Sequence, residues 1–134
     1  MLLPTFIASV NGRAVDEDGY YGAQCADLIL RYVKLCWPGH PRFEGDAAGW
    51  SRQVLHGFIW IDNGPHNAPG RGDVIVWDGR QNSVGVGVLG HTSICVVADE
   101  NVIVGFDQNW DAVRSARLVI HSYSGVAGWH HPMG

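Results

Sequence analysis

Two hydrophobic periods meet at Gly72, and a chain carrying both must build helices first and a sheet second. Upstream, Leu28, Ile29, Tyr32, Val33, Leu35 and Cys36 form an apolar stripe at helical spacing. They predict a helix over 23–37, stopped by Pro38-Gly39. A shorter helix is expected over 46–55, and Phe58-Ile-Trp-Ile61 reads as a short strand ended by Asp62-Asn-Gly-Pro65. Downstream, Asp73-Val-Ile-Val-Trp77 reads as a strand, and the glycine-rich run 85–90 leads into a second over 91–97. A partner strand follows over 102–109 and a last one near 117–121. Helices followed by an antiparallel sheet are an α+β plan.

The 134 residues are read as one domain, 1–134, with no separate wall-binding domain and enough length to bury a core without staples. An apolar share of 46% against 16% charged residues describes a globular chain. A net charge of −4 without a basic run argues against a nucleic-acid partner. No apolar stretch is long enough to span a membrane. The apolar start lacks basic residues and is interrupted by Pro4, so no signal peptide is expected. Three cysteines cannot form a complete disulfide framework. Cys25 and Cys36 share a helix face but would lie roughly 16 Å apart along it, too far to bridge. Cys95, in an apolar run, reads as a small buried hydrophobe.

Reactive chemistry therefore rests on Cys25, placed in the first turn of the helix. There, unpaired backbone N–H groups and the positive end of the helix dipole favour thiolate over thiol. A cysteine nucleophile needs a base nearby, and the base a third group to orient it. Of the seven histidines, His91 stands out because it opens an apolar strand after Gly90, at what would be the rim of a sheet. The plain alternative is a partly exposed structural histidine. Phe106-Asp-Gln-Asn-Trp110 offers Asp107 and Asn109 on one strand face, and either can accept a hydrogen bond from an imidazole N–H.

Strand parity makes this testable, because residues opposed across an antiparallel pair share a face. A two-residue turn at Asp99-Glu100 sets His91 opposite Gln108 and turns Asp107 away. A three-residue loop over 99–101 sets His91 opposite Asn109 and Ser93 opposite Asp107. The catalytic reading therefore requires an odd loop or a bulge.

The loop before Cys25 carries oxygen donors at alternate positions: Asp16, Asp18, then Tyr20 and Gly22 through their carbonyls, with Asp27 following on the helix. That is the 1-3-5-7-12 spacing by which a loop wraps Ca²⁺, although the glycine position and the lack of a preceding helix exclude an EF-hand. The alternative is a polar turn whose Asp27 bonds backbone N–H groups. No Cys or His spacing fits zinc. Of the six tryptophans, Trp110 stands beside the candidate site, where it could line a substrate groove.

Gly12 to Leu28, Gly72-Asp-Val-Ile-Val-Trp77, Gly90-His91 and Asp107-Gln-Asn-Trp110 together resemble the CHAP domain, the cysteine, histidine-dependent amidohydrolase/peptidase of bacteriophage lysins and bacterial autolysins. The resemblance spans about residues 10–130. It implies a papain-like fold and a peptidoglycan hydrolase cutting amide bonds, as a muramoyl-alanine amidase or a cross-bridge endopeptidase. It assigns Cys25 as nucleophile, His91 as general base, Asp107 as orienting carboxylate and Asn109 as a further polar member. Gln24 is a candidate oxyanion donor beside the Cys25 backbone N–H. Members often carry Glu where Asp107 stands, so the charge is kept with less reach. Some bind calcium through the equivalents of Asp16, Asp18, Tyr20, Gly22 and Asp27, which implies a structural Ca²⁺ and no organic cofactor. The expected partner is bacterial peptidoglycan, met by a monomer, with further domains possible in a longer lysin. A phage lysin of this kind is made in the host cytoplasm and acts on the wall after release. The rival reading is a non-catalytic, calcium-stabilised wall-binding or phage structural module.

Overall fold

The computed structural model describes residues 1–79 and 87–134, so the glycine-rich run expected ahead of His91 lies partly outside the described residues. Helix α1 spans Leu3–Val10, and helix α2 spans Cys25–Cys36. A 3₁₀ segment, Ala47–Arg52, follows. The strands are β1 (Phe58–Asp62), β2 (Val74–Trp77), β3 (His91–Ala98), β4 (Ile103–Asp107), β5 (Arg117–His121) and β6 (Val126–Pro132). All pairings are antiparallel, in the order β1-β6-β2-β3-β4-β5. This is the expected α+β, papain-like plan, with two elements the sequence pattern did not announce. Helix α1 is eight residues, too short to declare a period, and starts with Pro4 where the missing N–H costs nothing. Strand β6 is interrupted by Gly128 and two histidines, which hide its alternation, yet it joins β1 to β2. The helix expected over 46–55 is instead the six-residue 3₁₀ segment, tied down by Trp50 Nε1–H donating to the Gly45 carbonyl at 3.0 Å.

Helix α2 packs on one sheet face, where Leu28, Ile29, Tyr32 and Val33 meet Val74, Val76, Ile94 and Phe106. Alternate residues of β2 point the other way, so Ile75 and Trp77 join Cys95, Ile103 and Trp129 in a second core. Strand β2 is thus buried on both faces, as its unbroken apolar run requires. The Tyr32 hydroxyl donates to the Gly72 carbonyl at 2.7 Å and accepts from Trp37 Nε1 at 3.0 Å, fixing the helix to the start of β2.

The register of β3 against β4 decides the site. At the turn Ala98 opposes Ile103 and Val97 opposes Val104, leaving a four-residue loop over 99–102. The Asp99 carboxylate closes it by accepting the N–H groups of Asn101 and Val102 at 2.8 and 2.9 Å. Continued regularly, that ladder would put His91 and Asp107 on opposite faces. A bulge between Cys95 and Val97 absorbs Val96, so Cys95 opposes Gly105 and Ile94 opposes Phe106. Carried beyond the bulge, that register sets Ser93 against Asp107, and the two side chains are hydrogen-bonded at 2.7 Å. The register that the catalytic reading needs is therefore present, reached by an even loop and one extra residue rather than by a three-residue loop.

Candidate active site

Cys25 is the first residue of α2 and is partly exposed. Gln24 before it is extended and serves as N-cap; its N–H donates to Asp27 Oδ2 at 2.9 Å. Asp27 reaches backward as well, its Oδ1 accepting from the N–H groups of Glu17 and Asp18 at 3.1 and 3.2 Å. One buried carboxylate therefore pins the loop, the cap and the helix start together. Gln108, fully buried after β4, completes the clamp. Its Oε1 accepts from Val15 N–H at 2.7 Å, while its Nε2 donates to the carbonyls of Val15 at 2.7 Å and Gln24 at 2.8 Å. Pointing away from His91, Gln108 holds the turn that carries Cys25 and does not touch His91, a role its lone position in the sequence did not signal.

His91 opens β3 and is 4% exposed. An ionised carboxylate only accepts, so His91 Nε2–H donates to Asp107 Oδ2, at 2.6 Å. Nδ1 is left for the Cys25 side chain, which acts electrostatically on the same ring. Burial alone would lower the imidazole pKa, but the hydrogen bonds and charges of Asp107 and Cys25 outweigh it and raise it to about 9. The Trp77 and Trp110 rings lie 5.2 and 4.7 Å from His91, so Trp110 covers the imidazole rather than simply lining a groove. Burial works to raise the Asp107 pKa as well, yet hydrogen bonds from His121 and His91 hold it below the usual carboxylate value. Ser93 Oγ–H donates to Oδ1 at 2.7 Å and His121 Nε2–H to Oδ2 at 2.8 Å. The short reach of Asp compared with Glu is thus no obstacle, since the sheet carries Asp107 within hydrogen-bonding distance. Gly105 makes room for this: a Cβ there would collide with Ser93 Oγ and approach Asp107 Oδ1 to 2.6 Å.

A cleft of about 620 Å³ opens on Cys25 and is lined by Gln24, Asp46, Ala47, Leu89, Gly90 and Asn109. Gly90 brings its far wall close, for a Cβ there would lie 2.6 Å from the Ala48 backbone nitrogen. Asn109, exposed and at φ 56°, stands on the lip of this cleft with no hydrogen bond to His91 among the described residues. The structure therefore brings Cys25, His91 and Asp107 together, sets Gln24 beside the thiol, and leaves Asn109 facing the cleft. His121 joins them unannounced, because no local motif surrounds it at the end of β5.

Among the described residues, two clusters have ligand atoms close enough for a cation, each within 4.8 Å. In the first, the facing atoms of His91, Asp107 and His121 are already joined by hydrogen bonds. The second comprises Asp16, Asp18 and Asp27. Burial, with the neighbouring Asp18 charge adding, raises the Asp27 pKa despite three backbone N–H donors. The Asp16 and Asp18 carboxylates each close a tight turn, accepting from Gly19 and Tyr20 N–H at 3.0 and 2.8 Å. Further lone pairs stay open on these hard oxygens, so the donor set fits Ca²⁺. Tyr20 is exposed, Gly22 sits at φ 72°, and the Arg114 guanidinium lies against the same loop, donating to the Tyr21 carbonyl at 3.5 Å.

The CHAP domain family model matches residues 15–109, from the clamp at Val15 to Asn109 on the cleft. The chain belongs to the CHAP domain family. Endolysin PlyTW of Staphylococcus phage Twort (strain DSM 17442 / HER 48) is 27% identical over 138 residues, covering 96% of this chain and 29% of that protein. Endolysin LysK of Staphylococcus phage K is 34% identical over 94 residues, covering 66% of this chain and 19% of that protein. This CHAP domain thus spans less than a third of either relative's length. The solved wild type endolysin LysIME-EF1 superposes with a TM-score of 0.78 at 31% identity, over 96% of this chain and 61% of that one. Ly7917, at 16% identity and a TM-score of 0.67 over 96% of this chain and 60% of that one, shares the fold. No helix among the described residues is long and apolar enough to cross a membrane.

Proposed function

We propose that this CHAP domain is a peptidoglycan hydrolase that cuts an amide bond with Cys25 as nucleophile, His91 as general base and acid, and Asp107 as orienter. One observation carries the reading: His91 spends Nε2 on a buried carboxylate and lies within electrostatic reach of the thiol at the start of α2. The endolysin relatives supply the substrate class.

In this mechanism the Cys25 sulfur attacks the amide carbon, and charge gathers on the carbonyl oxygen. The Cys25 backbone N–H, unpaired in the helix's first turn, and the Gln24 side chain in the cleft are the donors for that oxygen. As the C–N bond breaks, imidazolium His91 gives its proton to the departing amine, leaving a thioester on Cys25. Water, deprotonated by His91, then attacks the thioester, releases the acid and restores the thiolate–imidazolium pair. Asp107 stays ionised throughout and holds the ring in one tautomer.

The Asp16, Asp18 and Asp27 carboxylates, with the Tyr20 and Gly22 carbonyls, would hold a Ca²⁺. Such an ion supplies charge neutralisation and rigidity to the loop that Asp27 ties to the nucleophile's turn. The test is digestion of purified peptidoglycan with and without EDTA, with fragments assigned by mass spectrometry and Cys25→Ser as control. New amine and carboxyl ends that vanish in the variant are expected, and they report whether an amidase or an endopeptidase bond is cut. Wall binding without cleavage by the intact domain would sink the proposal and favour a binding module.

A further inference from the structure

His121 is a buried titratable group in contact with the site that this mechanism leaves unused. It ends β5, the edge strand, and its ring is sealed between Trp77 and Trp110, each 4.7 Å away. It is 5% exposed, and its Nε2–H donates to the same Asp107 oxygen that accepts from His91. Ser93 occupies the other carboxylate oxygen. A carboxylate on two rotatable bonds is thereby held by three donors from two strands: His91 and Ser93 on β3 and His121 on β5.

We propose that His121 is a positioning residue for the proposed hydrolysis, locking Asp107 against His91 from the edge strand and sharing its charge. Two consequences follow from one oxygen serving two imidazoles. The carboxylate cannot rotate away when His91 passes its proton to the leaving amine, because His121 keeps Oδ2 in place. Half of the accepting capacity at Oδ2 is also withheld from His91, so His91 remains acidic enough to give that proton up. The titratable groups facing His121 are Asp107 on β4, His91 on β3 and, through His91, Cys25 on α2. Asp78 follows Trp77 on β2, and Arg117, on the same strand as His121, turns its Nη2 to the Trp110 carbonyl at 3.0 Å.

This inference rests on the catalytic reading, and two substitutions separate hydrogen bonding from packing. His121→Phe keeps the ring between the tryptophans but has no donor, whereas His121→Gln keeps a donor and loses the ring. With a soluble peptidoglycan fragment, His121→Phe is expected to lower kcat by about ten- to a hundredfold with KM unchanged, the range for a lost hydrogen bond to a charge. The alkaline limb of its pH profile moves to higher pH, since Asp107 then serves His91 alone. His121→Gln is expected to restore most of kcat. Wild-type kcat and pH profile in a folded His121→Phe protein, or a His121→Gln protein equally impaired, overturns the proposal. If neither variant folds, nitrogen NMR of the wild-type imidazoles decides, because an unprotonated His121 Nε2 is incompatible with the bond. If the wild-type chain cuts no peptidoglycan, the catalytic reading fails on its own. The pH profile of Cys25 alkylation by iodoacetamide then still reports whether His121 acts through His91.

Discussion

Replacing Asp107 by Asn isolates the charge in the buried pair, because an amide can keep the same shape. Its oxygen can face His91 and His121 while its NH₂ turns to Ser93 Oγ, which accepts by rotating its hydroxyl. The rise of His91 from the ordinary 6.5 to about 9 corresponds to roughly 3 kcal/mol, at about 1.4 kcal/mol per pH unit. Burial opposes that rise, and Asp107 and Cys25 share in producing it. Losing the Asp107 charge is therefore expected to lower the His91 pKa by about 1–2 pH units. The His91 imidazolium then gives up its proton at a lower pH, leaving no acid for the departing amine. Hydrolysis at mildly alkaline pH falls by about ten- to a hundredfold, and the alkaline limb shifts toward neutrality. Iodoacetamide alkylation across pH checks this without substrate. The competing thiols are slow, since burial raises the Cys36 pKa and pushes that of Cys95 up to about 12. An Asp107→Asn protein that folds and keeps the wild-type alkaline limb would refute the electrostatic account of His91.

The same pair makes stability depend on pH. His91 has a raised folded pKa, so its contribution is complete below 6.5 and is lost as pH rises through about 9, which thermal melts in alkaline buffers would reveal as a falling Tm. Gln108→Ala orphans the buried N–H and C=O of Val15, each costing about 1–3 kcal/mol, whereas the Gln24 carbonyl keeps the Asp27 N–H. Urea unfolding should register that loss, and an unchanged midpoint would remove Gln108 from the clamp. Calcium at about a hundredfold over its Kd should add about 2.7 kcal/mol to stability, abolished by EDTA and weakened by Asp16→Asn. Equal Tm values with and without the ion would dismiss the calcium loop. Gly105→Ala should cost about 1–3 kcal/mol by overpacking against Ser93 and Asp107, with hydrolysis falling more than stability, and a fully active Gly105→Ala protein would contradict the tight fit seen there.

Much of the molecule is legible in the order of its residues alone. The stripe from Leu28 to Cys36 is helical and α2 follows it, and β2, β3 and β5 fall where short apolar runs bounded by turn residues placed them, because local pattern dictates those elements. Elements α1 and β6 were not legible: one is too short to show a period, and in the other glycine and histidines replace the alternating residues. Cys25 at the helix start and the spacing of Asp16, Asp18 and Asp27 are likewise local facts, readable from order along the chain.

The meeting of Cys25, His91 and Asp107 is of another kind. The sequence by itself determined which side chains were chemically suited to one another and that an even register would separate His91 from Asp107. Only the tertiary structure decided the register, through a four-residue loop that leaves the faces mismatched and the bulge at Val96 that rematches them. It alone revealed His121, whose contact with Asp107 spans two strands of a folded sheet, and Gln108, whose partners lie 93 and 84 residues away. The physical reason is that face and register are set by pairing between strands. A side chain's partner across a sheet follows from the whole ladder and not from its own neighbours in the chain.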